Sequence, residues 1–557
     1  MKRSAKAAIA LFALFVLGEA LLFLFNPFSG MGELRGINLS GFGLSVAASL
    51  WAILTISPML ALLLLERFSN LREGLFSRRS VYLAVASYFA VFLALSFLRY
   101  FSFNSAPPDI WYYNQAMWST LHGNFMGINI GPFTNYFGIH FAPLLVALVP
   151  LYALFQSPLV LLLAQTAFIA LGAVPVYWIA MRHLKSSRAA FSFSAAYLLF
   201  PALEFINLRE FHAVALAIPL ILLAWNYFEE SRVKPFAFFF ALSLLAEETV
   251  APALFFFGLY AIFARRWKWG VPMCIASFSW FLLAIFVFIP FFGNAPYVFL
   301  AGGSNNLYAQ FGSNPPQIIA GMLSNPLNTI SIVLSPVKLG YLAMLLVPVL
   351  LLSVFALPVI LIAFPVFAQN LLSGYPAQSS IYFHYNSVLI PFLFVSAILG
   401  AKRLSESIAG RLSIPRAKEK AILGISLAIL VAAVLSNALL SPSPLSALSP
   451  VPTQANFSAQ KYAFTPHDAI AWKAIGMVPA EARVSADSFF LAQLSGRKFA
   501  GYFPETLESA DYVLIDSSRT DNPSASTAAK EFSELRSDSN FVRVFAQDGV
   551  FLFKRQK

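Results

Sequence analysis

The sequence is poor in charge, in cysteine and in aspartate. Only 11% of its 557 residues are charged, whereas 59% are hydrophobic and the mean hydropathy is +0.72. Because a soluble domain carries about 25% charged residues, this composition excludes a soluble globular protein and indicates a chain that crosses a membrane many times. The one cysteine, Cys274, lies in an apolar run, which excludes an intramolecular disulfide framework and a cysteine-based metal site.

Several catalytic motifs are missing as well. The chain has no P-loop, no G-x-S-x-G nucleophile elbow and no His-x-x-His metal pair. These absences give no support to an ATP-driven protein or to a hydrolase.

Apolar segments recur along most of the chain. A span needs about 20 mostly apolar residues, and we expect thirteen spans. They are 7–25, 43–65, 81–101, 158–181, 189–206, 213–228, 235–246, 250–264, 271–291, 340–356, 357–370, 386–401 and 420–440. The N-terminus lacks a small-residue cleavage site, so we interpret its apolar run as a retained first helix rather than a signal peptide.

The positive charge predicts the topology. If the short, proline-containing segment 141–155 is interfacial, 21 of the 37 Lys and Arg residues fall on cytoplasmic segments, 4 on outer segments and 12 in the tail. The positive-inside rule then predicts a multi-pass cell-membrane protein with a cytoplasmic N-terminus and an extracytoplasmic C-terminus. The net charge of +12 is therefore a topology signal and not a nucleic-acid footprint.

The chain divides into four regions. We predict an N-terminal pair of membrane helices in 1–80, an all-α membrane core in 81–440 with an outer-face loop at 102–157, and a Pro/Ser linker at 441–455. Residues 456–557 hold most of the aspartates and predict a small extracytoplasmic α/β domain. Its strands are expected in EARVSADSF, ADYVLIDSS and FVRVFAQDGVFLFKR, with a hairpin turn at QDGV and helices at 466–476 and 525–536.

One aspartate stands out in the apolar part. Asp109, in APPDIWYYNQAMW, is the only aspartate of the first 467 residues. An acid deep in the bilayer costs about 2.5–3.5 kcal/mol on insertion scales, so such residues usually have a role or a partner. Other polar and aromatic residues are predicted to lie on the same outer face, far apart in sequence. They are Trp111, His140, Arg209, Glu210, His212, Glu247, Glu248, Lys338, His384 and Tyr385. Any one of them fits a structural role in a polar loop, whereas their clustering favours a functional site.

The run PPDIWYYNQAMWSTLHGNF, followed by NYFGIHFAPLLVALVPLYALF, REFHAVALAIPL, AEETVAPALFFF and FHYNSVLIPF, resembles a predicted membrane-protein family of archaea and bacteria, domain of unknown function 2079. The similarity covers roughly 80–400. That family in turn is similar to the GT-C superfamily of polytopic glycosyltransferases, which use sugars carried on polyprenyl phosphates. The superfamily carries an acid in its first large outer loop, a position that Asp109 matches. Two features depart from it, because the acid is single and two additional spans precede it.

The resemblance implies a glycosyltransferase that moves a sugar from a polyprenyl-phosphate donor to a glycan, lipid or protein acceptor on the extracytoplasmic face. Asp109 would be the general base or a metal ligand, with Glu247, Glu248 and His140 as further catalytic residues. Glu247 and Glu248 are also candidate ligands of a divalent cation such as Mg or Mn. The donor phosphate or substrate would be bound by Arg209, Glu210, His212, His384, Tyr385, Lys338 and Trp111.

Two other functions stay open at the level of sequence. A transporter or lipid flippase would use Glu247 and Glu248 at a broken helix as its substrate or ion site. A non-catalytic membrane assembly protein would use the outer domain to bind a partner. The acids gather on one face and the chain shows no internal repeat, which favours surface chemistry over transport.

Overall fold

A computed structural model gives the fold. It describes residues 33–34, 37–38, 42–105, 109–130, 133–297, 306–411, 414–444, 457–519 and 525–556. The predicted span at 7–25 and most of the predicted linker at 441–455 lie outside the described residues.

The membrane part is almost entirely helical. Its helices are α1 Phe42–Asn70, α2 Arg78–Phe101, α3 Asp109–Leu121, α4 Val149–Ala153, α5 Pro158–Leu171, α6 Ala173–Leu184, α7 Ser187–Leu198, α8 Pro201–Arg209, α9 Ala217–Glu229, α10 Val233–Leu244, α11 Ala251–Phe263, α12 Trp267–Leu283, α13 Ile289–Gly293, α14 Pro315–Ser324, α15 Pro326–Val333, α16 Pro336–Leu346, α17 Leu357–Ile360, α18 Phe364–Leu372, α19 Leu389–Arg411 and α20 Ala417–Leu440. Two short antiparallel pairs of strands accompany them: β1 Glu33–Leu34 with β2 Ile37–Asn38, and β3 Gly127–Ile130 with β4 Phe133–Asn135.

Within the described residues, six helical stretches are long and apolar enough to cross a membrane. They are Val46–Asn70, Arg78–Phe101, Pro158–Leu184, Trp267–Gly293, Leu352–Leu372 and Ala417–Leu440. Two bent pairs raise the number to eight if each is one span: α7 with α8, bent by 41°, and α15 with the helical stretch Pro336–Val349, bent by 48°. In both pairs the second helix begins at a proline, which lacks the N–H that would continue the preceding helix. The expected number of thirteen spans is not confirmed.

Several predicted spans are shorter than a bilayer requires. The helices α9, α10 and α11 have 12 or 13 residues each, which is about 20 Å against the roughly 30 Å of a hydrocarbon core. The segment expected to be interfacial forms a short 3-10 helix, Pro143–Leu148, followed by α4. The chain therefore turns several times inside the apolar part, and polar residues in those turns come to lie below its surface.

Charged residues mark one end of these short helices. Near the end of α9, Glu229 Oε2 accepts from Arg182 Nη1 at 2.8 Å, and Glu229 Oε1 lies 2.8 Å from His183 Nε2. Arg266, just after α11, donates to the carbonyl of Phe228 at 2.6 Å. A 3-10 helix, Ala213–Leu216, leads from His212 into α9, so the loop that contains His212 lies at the opposite end of this helical stretch, about 25 Å away.

The C-terminal region folds as an α/β domain, as the sequence predicts. Its helices are α21 Pro466–Gly476, α22 Leu491–Leu494 and α23 Ala525–Leu535, and its strands are β5 Val484–Ala486, β6 Ala500–Tyr502, β7 Tyr512–Asp516, β8 Phe541–Gln547 and β9 Val550–Arg555. The sheet order is β6-β5-β7-β9-β8, with β5 parallel to β6 and β7 and the other neighbours antiparallel. The hairpin turn predicted at QDGV joins β8 to β9, where Asp548 and Gly549 take the positive φ that an Asp-Gly turn requires.

The domain rests directly on the membrane part. Phe103, 2% exposed, packs between Phe490 and Trp472 with ring centroids 5.2 and 5.3 Å away. Trp472 Nε1 donates to the Phe101 carbonyl at 2.9 Å, and Arg519 Nη1 donates to the Phe103 carbonyl at 2.8 Å. Apolar burial and hydrogen bonds to the chain end of α2 thus fix the domain beside the start of α3.

Replacing Phe103 by Ala should weaken this docking. Truncation of a buried phenylalanine costs about 3–5 kcal/mol, and here most of that cost falls on the contact between the two parts. Amide hydrogen exchange of the detergent-purified protein should become faster in α21 and in residues 99–105. The control is Phe464→Ala, which removes an aromatic ring that is 53% exposed. Unchanged exchange in Phe103→Ala would show that Phe103 does not hold the domain.

Candidate functional site

Helix α3 positions Asp109. The aspartate is its first residue, and an acid in the first turn is stabilised by the partial positive charge of a helix N-terminus. One face of α3, with Ile110 and Tyr113, packs into the core of the membrane part, whereas Trp111 packs into the core of the C-terminal domain. Contacts on both sides therefore hold the carboxylate in place.

Asp109 is paired with a histidine from a distant loop. Its Oδ2 lies 3.0 Å from His212 Nε2, and its Oδ1 accepts a hydrogen bond from the Tyr112 hydroxyl. His384 stacks on His212, with ring centroids 3.8 Å apart. The Nδ1 atoms of both histidines are buried and have no hydrogen-bond partner among the described residues. The first cluster, Asp109–His212–His384, therefore keeps two unused imidazole nitrogens.

The surroundings of the first cluster favour different charge states for its residues: Asp109 is ionised, whereas His384 is neutral. Burial by itself raises the pKa of Asp109, but the hydrogen bond and charge of His212 outweigh it, so this pKa lies below its usual range. Burial, helped by the adjacent His212, holds the pKa of His384 well below its usual value. At neutral pH the cluster therefore contains an ionised carboxylate beside a neutral His384.

Glu210 is a second acid beside Asp109. Its Oε2 accepts from the Ile110 N–H at 2.8 Å, whereas its Oε1 is buried and has no hydrogen-bond partner among the described residues. Burial, and then the negative charge of Asp109, hold the pKa of Glu210 well above its usual range. Two neighbouring carboxyls thus differ in protonation, Glu210 protonated and Asp109 ionised, a combination that is typical of acid–base sites.

A glutamine holds the loop that carries Glu210 and His212. Gln165 of α5 donates from Nε2 to the Glu210 carbonyl at 2.6 Å and accepts from the His212 N–H at 2.7 Å through Oε1. Gln165 is fully buried. Its two bonds satisfy loop backbone that would otherwise be unpaired inside an apolar environment.

A second cluster consists of His140, Glu247 and Glu248. His140 Nδ1 lies 2.8 Å from Glu248 Oε1, and Glu248 Oε2 accepts from the Phe141 N–H at 2.9 Å. Tyr297 donates its hydroxyl to the same Oε1 at 2.8 Å. Both glutamates lie in the turn between α10 and α11, and this turn is at the same end of the helices as His212 because α10 returns from the Glu229 end.

In the second cluster the pKa values of His140 and Glu247 are raised. Burial would lower the pKa of His140, but the charges of Glu248 and Glu247 raise it to about 9. Burial raises the pKa of Glu247 to about 7, against the effect of His140. Glu247 and Glu248 are 5% and 1% exposed. When both are ionised, the single positive charge of His140 balances only one of the two negative charges.

Three tyrosines pack together next to the first cluster. Tyr136 packs against Tyr112 and Tyr113, with ring centroids 5.7 and 4.8 Å apart, and Tyr113 accepts a hydrogen bond from the Ala213 N–H at 3.3 Å. Because Asp109 influences the pKa of His140, the two clusters are electrostatic neighbours. They form one acidic, histidine-rich region.

The remaining predicted residues have different surroundings. Arg209 lies over the Phe383 ring, 3.7 Å from its centroid, and Tyr385 contacts His384 at 4.3 Å between ring centroids. Lys338 is not in either cluster: its ammonium group donates to the carbonyls of Asn370 and Ser373, at 3.2 and 2.8 Å, and to the Ser379 hydroxyl. Trp111 is 1% exposed and lies under the C-terminal domain.

Three residues at the clusters were not foreseen from the sequence. Tyr112 lies three positions after Asp109, a spacing that brings side chains together on a helix and was available as a signal. Gln165 is a polar residue within the apolar run LLLAQTAFIAL, which also marks it for attention. Nothing near Tyr297 in the sequence indicates its bond to Glu248.

Each cluster has the composition of a metal site. In the first cluster, the three ligand atoms offered by Asp109, His212 and His384 all lie within 4.8 Å of one another. The same distance limit holds for the ligand atoms of His140, Glu247 and Glu248. Carboxylate oxygens suit Mg²⁺ and Mn²⁺, so the second cluster with two glutamates fits such an ion better than the first. The arrangement can hold an ionised base, a protonated acid and a cation close together.

The pKa of Glu247 predicts a pH-dependent stability that is visible when metal is removed by EDTA. The folded protein retains a proton that the unfolded chain loses near pH 4.5, so stabilisation present below pH 4.5 is lost as pH rises through about 7. Thermal unfolding of the wild type in detergent should show a falling Tm over this range, to which Glu247 contributes on the order of 3 kcal/mol.

Glu247→Gln, which is neutral at every pH, should make that fall shallower between pH 4.5 and 7, while Glu210, whose pKa is also raised, and His140, up to about pH 9, still contribute their own losses. Glu66→Gln, an exposed acid of α1, serves as the matched control and should behave as wild type. Identical pH profiles for Glu247→Gln and wild type would contradict the assignment of the proton to Glu247.

Comparisons with known proteins agree with the sequence resemblance. A family model described as a predicted membrane protein (DUF2079) matches residues 99–552, and no curated protein matches the chain. Among solved structures, ArnT from Cupriavidus metallidurans bound to undecaprenyl phosphate is similar, with a TM-score of 0.45, 13% identity and coverage of 83% of this chain and 97% of that chain. The apo oligosaccharyltransferase of Archaeoglobus fulgidus has a TM-score of 0.36 and 13% identity, covering 78% of this chain and 69% of that chain. The family match includes both clusters and most of the C-terminal domain, and the chain belongs to the predicted membrane protein family DUF2079.

Proposed function

We propose that the protein is a membrane glycosyltransferase that moves a sugar from a polyprenyl-phosphate donor to an acceptor hydroxyl on the extracytoplasmic face. The observation that carries the proposal is the first cluster, an ionised carboxylate with two imidazoles, beside the protonated carboxyl of Glu210 at the end of apolar helices. Burying such groups is costly, and they usually mark a functional site. The sequence resemblance to the GT-C superfamily supports the same reaction class.

Asp109 and His212 together are suited to remove the acceptor proton. Asp109, with its lowered pKa, is a weak base by itself, but its bond to Nε2 fixes the His212 ring, and in the neutral form of the ring, which acts as the base, it assigns the proton to that atom. The unpartnered Nδ1 then takes the proton of the attacking hydroxyl. In the reaction the acceptor oxygen bonds to the anomeric carbon, and the sugar–phosphate bond breaks with its electron pair going to the phosphate.

The leaving phosphate needs positive charge or hydrogen-bond donors. His140, with its pKa of about 9, is protonated at neutral pH, and the guanidinium of Arg209 carries a permanent charge. Protonated Glu210 supplies a further donor beside Asp109. In this scheme the apolar helices around the clusters accommodate the polyprenyl chain, because hydrocarbon is the environment in which such a chain dissolves.

A divalent cation, Mg²⁺ or Mn²⁺, fits the second cluster. Glu247, Glu248 and His140, which would release its proton when the ion binds, would hold it through two carboxylates and one imidazole, which matches the ligands that these ions accept. The ion would then replace the positive charge of protonated His140. Bound there, the ion would neutralise charge that develops on the departing phosphate. It would also balance the two buried glutamates, which His140 alone does not.

The transporter alternative rests on Glu247 and Glu248. Both residues lie at the turn joining α10 and α11, at the same end of these helices as His212, rather than at a break halfway along one span. A substrate site at the membrane midplane, which transporters use, is therefore less well supported than chemistry at one face.

Asp109→Asn should abolish sugar transfer by the purified protein while leaving its fold intact. The amide cannot hold His212 in the base form, and loss of an orienting acid or general base reduces rates about 10²–10⁴-fold. The assay uses a panel of polyprenyl-phosphate sugars with wild type and variant in detergent. Asp538→Asn, in the C-terminal domain, is the same chemical change away from the site and should retain full activity. Normal turnover by Asp109→Asn would refute the assignment.

Removal of metal should also stop the reaction. After dialysis against EDTA the wild type should lose most transfer activity and recover it when Mn²⁺ or Mg²⁺ is added, and Mn²⁺ binding by electron paramagnetic resonance should reach about one ion per chain. Glu248→Gln should reduce binding and activity together, whereas Glu406→Gln, a half-exposed acid that pairs with Lys418, should change neither. Full activity of the chelated protein, with no bound Mn²⁺, would exclude the cation.

A further inference from the structure

Trp111 does not offer its ring to a substrate, although the sequence resemblance places it among the candidate substrate-binding residues. The side chain is 1% exposed and belongs to the hydrophobic core of the C-terminal domain. Tyr502 from that domain lies against it, with ring centroids 4.9 Å apart and the rings nearly perpendicular at 86°. An edge-to-face contact of this kind stabilises both rings, and it covers Trp111 with another aromatic residue.

Tyr502 is only partly buried, unlike Trp111. Its hydroxyl makes no hydrogen bond to any residue within the described ranges. Its partner Trp111 lies in the first turn of α3, the turn that begins with Asp109. Burial raises the pKa of Tyr502, and the negative charge of Asp109 raises it further. The domain therefore places a partly exposed tyrosine ring and its hydroxyl beside the first turn of α3.

The position of Tyr502 is well defined. It ends β6, where it pairs with Ala486 of β5, and its carbonyl accepts from Ser485 Oγ at 3.2 Å and from Thr506 Oγ1 at 2.8 Å. The face of α3 that carries Trp111 also binds the domain through hydrogen bonds further along the helix. Asn114 Nδ2 donates to Ser495 Oγ at 2.9 Å, and Gln115 Nε2 donates to the Arg497 carbonyl at 3.5 Å. Side chains on such a fixed backbone are suited to orient a ligand.

We propose that Tyr502 is an acceptor-binding residue, which makes the C-terminal domain part of the transfer site, and that the acceptor is an uncharged carbohydrate. This inference rests on the proposed glycosyltransferase function and specifies its acceptor. The face of an aromatic ring carries partial negative charge and attracts the C–H groups on one face of a sugar. The neighbouring carboxylate of Asp109 accepts a hydrogen bond from a sugar hydroxyl.

Charge selects against the other acceptor classes. An anionic acceptor, such as a phosphorylated lipid or an acidic peptide, would approach Asp109 and meet repulsion from it. A neutral sugar hydroxyl, resting on Tyr502, reaches the same carboxylate without that penalty. Tyr502 thus acts on binding of the acceptor, while proton removal stays with the first cluster.

Binding of the acceptor can be measured without turnover. Full-length Asp109→Asn protein in detergent is exposed to immobilised neutral gluco-, galacto-, manno- and chito-oligosaccharides, and the same variant with Tyr502→Ala is compared with it. We expect binding to at least one series, weakened at least 10-fold by Tyr502→Ala and about 3-fold by Tyr502→Phe, which keeps the ring. Tyr512→Ala, a tyrosine of β7 in the same domain, is the control and should bind like its parent.

Transfer kinetics, measured with the oligosaccharide that binds as the acceptor, distinguish an acceptor-binding role of Tyr502 from a purely structural role. In otherwise wild-type protein, Tyr502→Ala should raise the KM for the acceptor about 10-fold, leave kcat within about 3-fold and leave hydrolysis of the donor unchanged. Equal losses in kcat and in donor hydrolysis would indicate a distorted site and overturn the assignment.

Two further outcomes are distinguishable. Absence of binding to every neutral sugar, or binding that Tyr502→Ala leaves unchanged, overturns the inference even if Asp109-dependent transfer is found with another acceptor. Oligosaccharide binding that depends on Tyr502 upholds the inference about the ligand, even where sugar transfer proves to be independent of Asp109 and the proposed reaction therefore fails.

Discussion

Buried carboxyl groups need partners, and this requirement shapes the whole end of the molecule that contains the clusters. Asp109 stays ionised because His212 and Tyr112 bond to it, and Glu248 is held by His140, Tyr297 and a backbone N–H. In an environment of apolar helices, an unpaired charge would be neutralised or would destabilise the fold. Each acid therefore determines where a loop from another part of the chain must lie.

Helix α3 connects the membrane part of the protein to the C-terminal domain. It carries Asp109 at its start, packs one side on the membrane helices and the other on the C-terminal domain, and is bonded to both. A shift of the domain would move the carboxylate, because both are attached to the same short helix. The C-terminal domain thus helps to fix the position of Asp109 rather than forming a separate module on a tether.

The general design could be predicted from the sequence, but its details could not. Apolar run length and charge distribution indicated a polytopic protein, and the alternating patterns after residue 456 predicted the sheet and both of its longer helices. The short strand β6, which carries Tyr502, was missed because three residues, AGY, contain no alternation to detect. The predicted number of thirteen spans is not confirmed, because several predicted segments, among them 213–228 and 235–246, form helices of only 12 or 13 residues.

The sequence alone determined the membrane class and the α/β character of the C-terminal domain, since these follow from composition and local periodicity, and its motifs indicated the family. It also singled out Asp109 as one rare residue. Only the tertiary structure decided which histidine meets which acid, because His212 and Asp109 are 103 positions apart and His140 and Glu248 are 108 apart. It also decided that Trp111 is buried against Tyr502. Such pairings depend on how helices and loops pack, and local sequence preferences do not encode them.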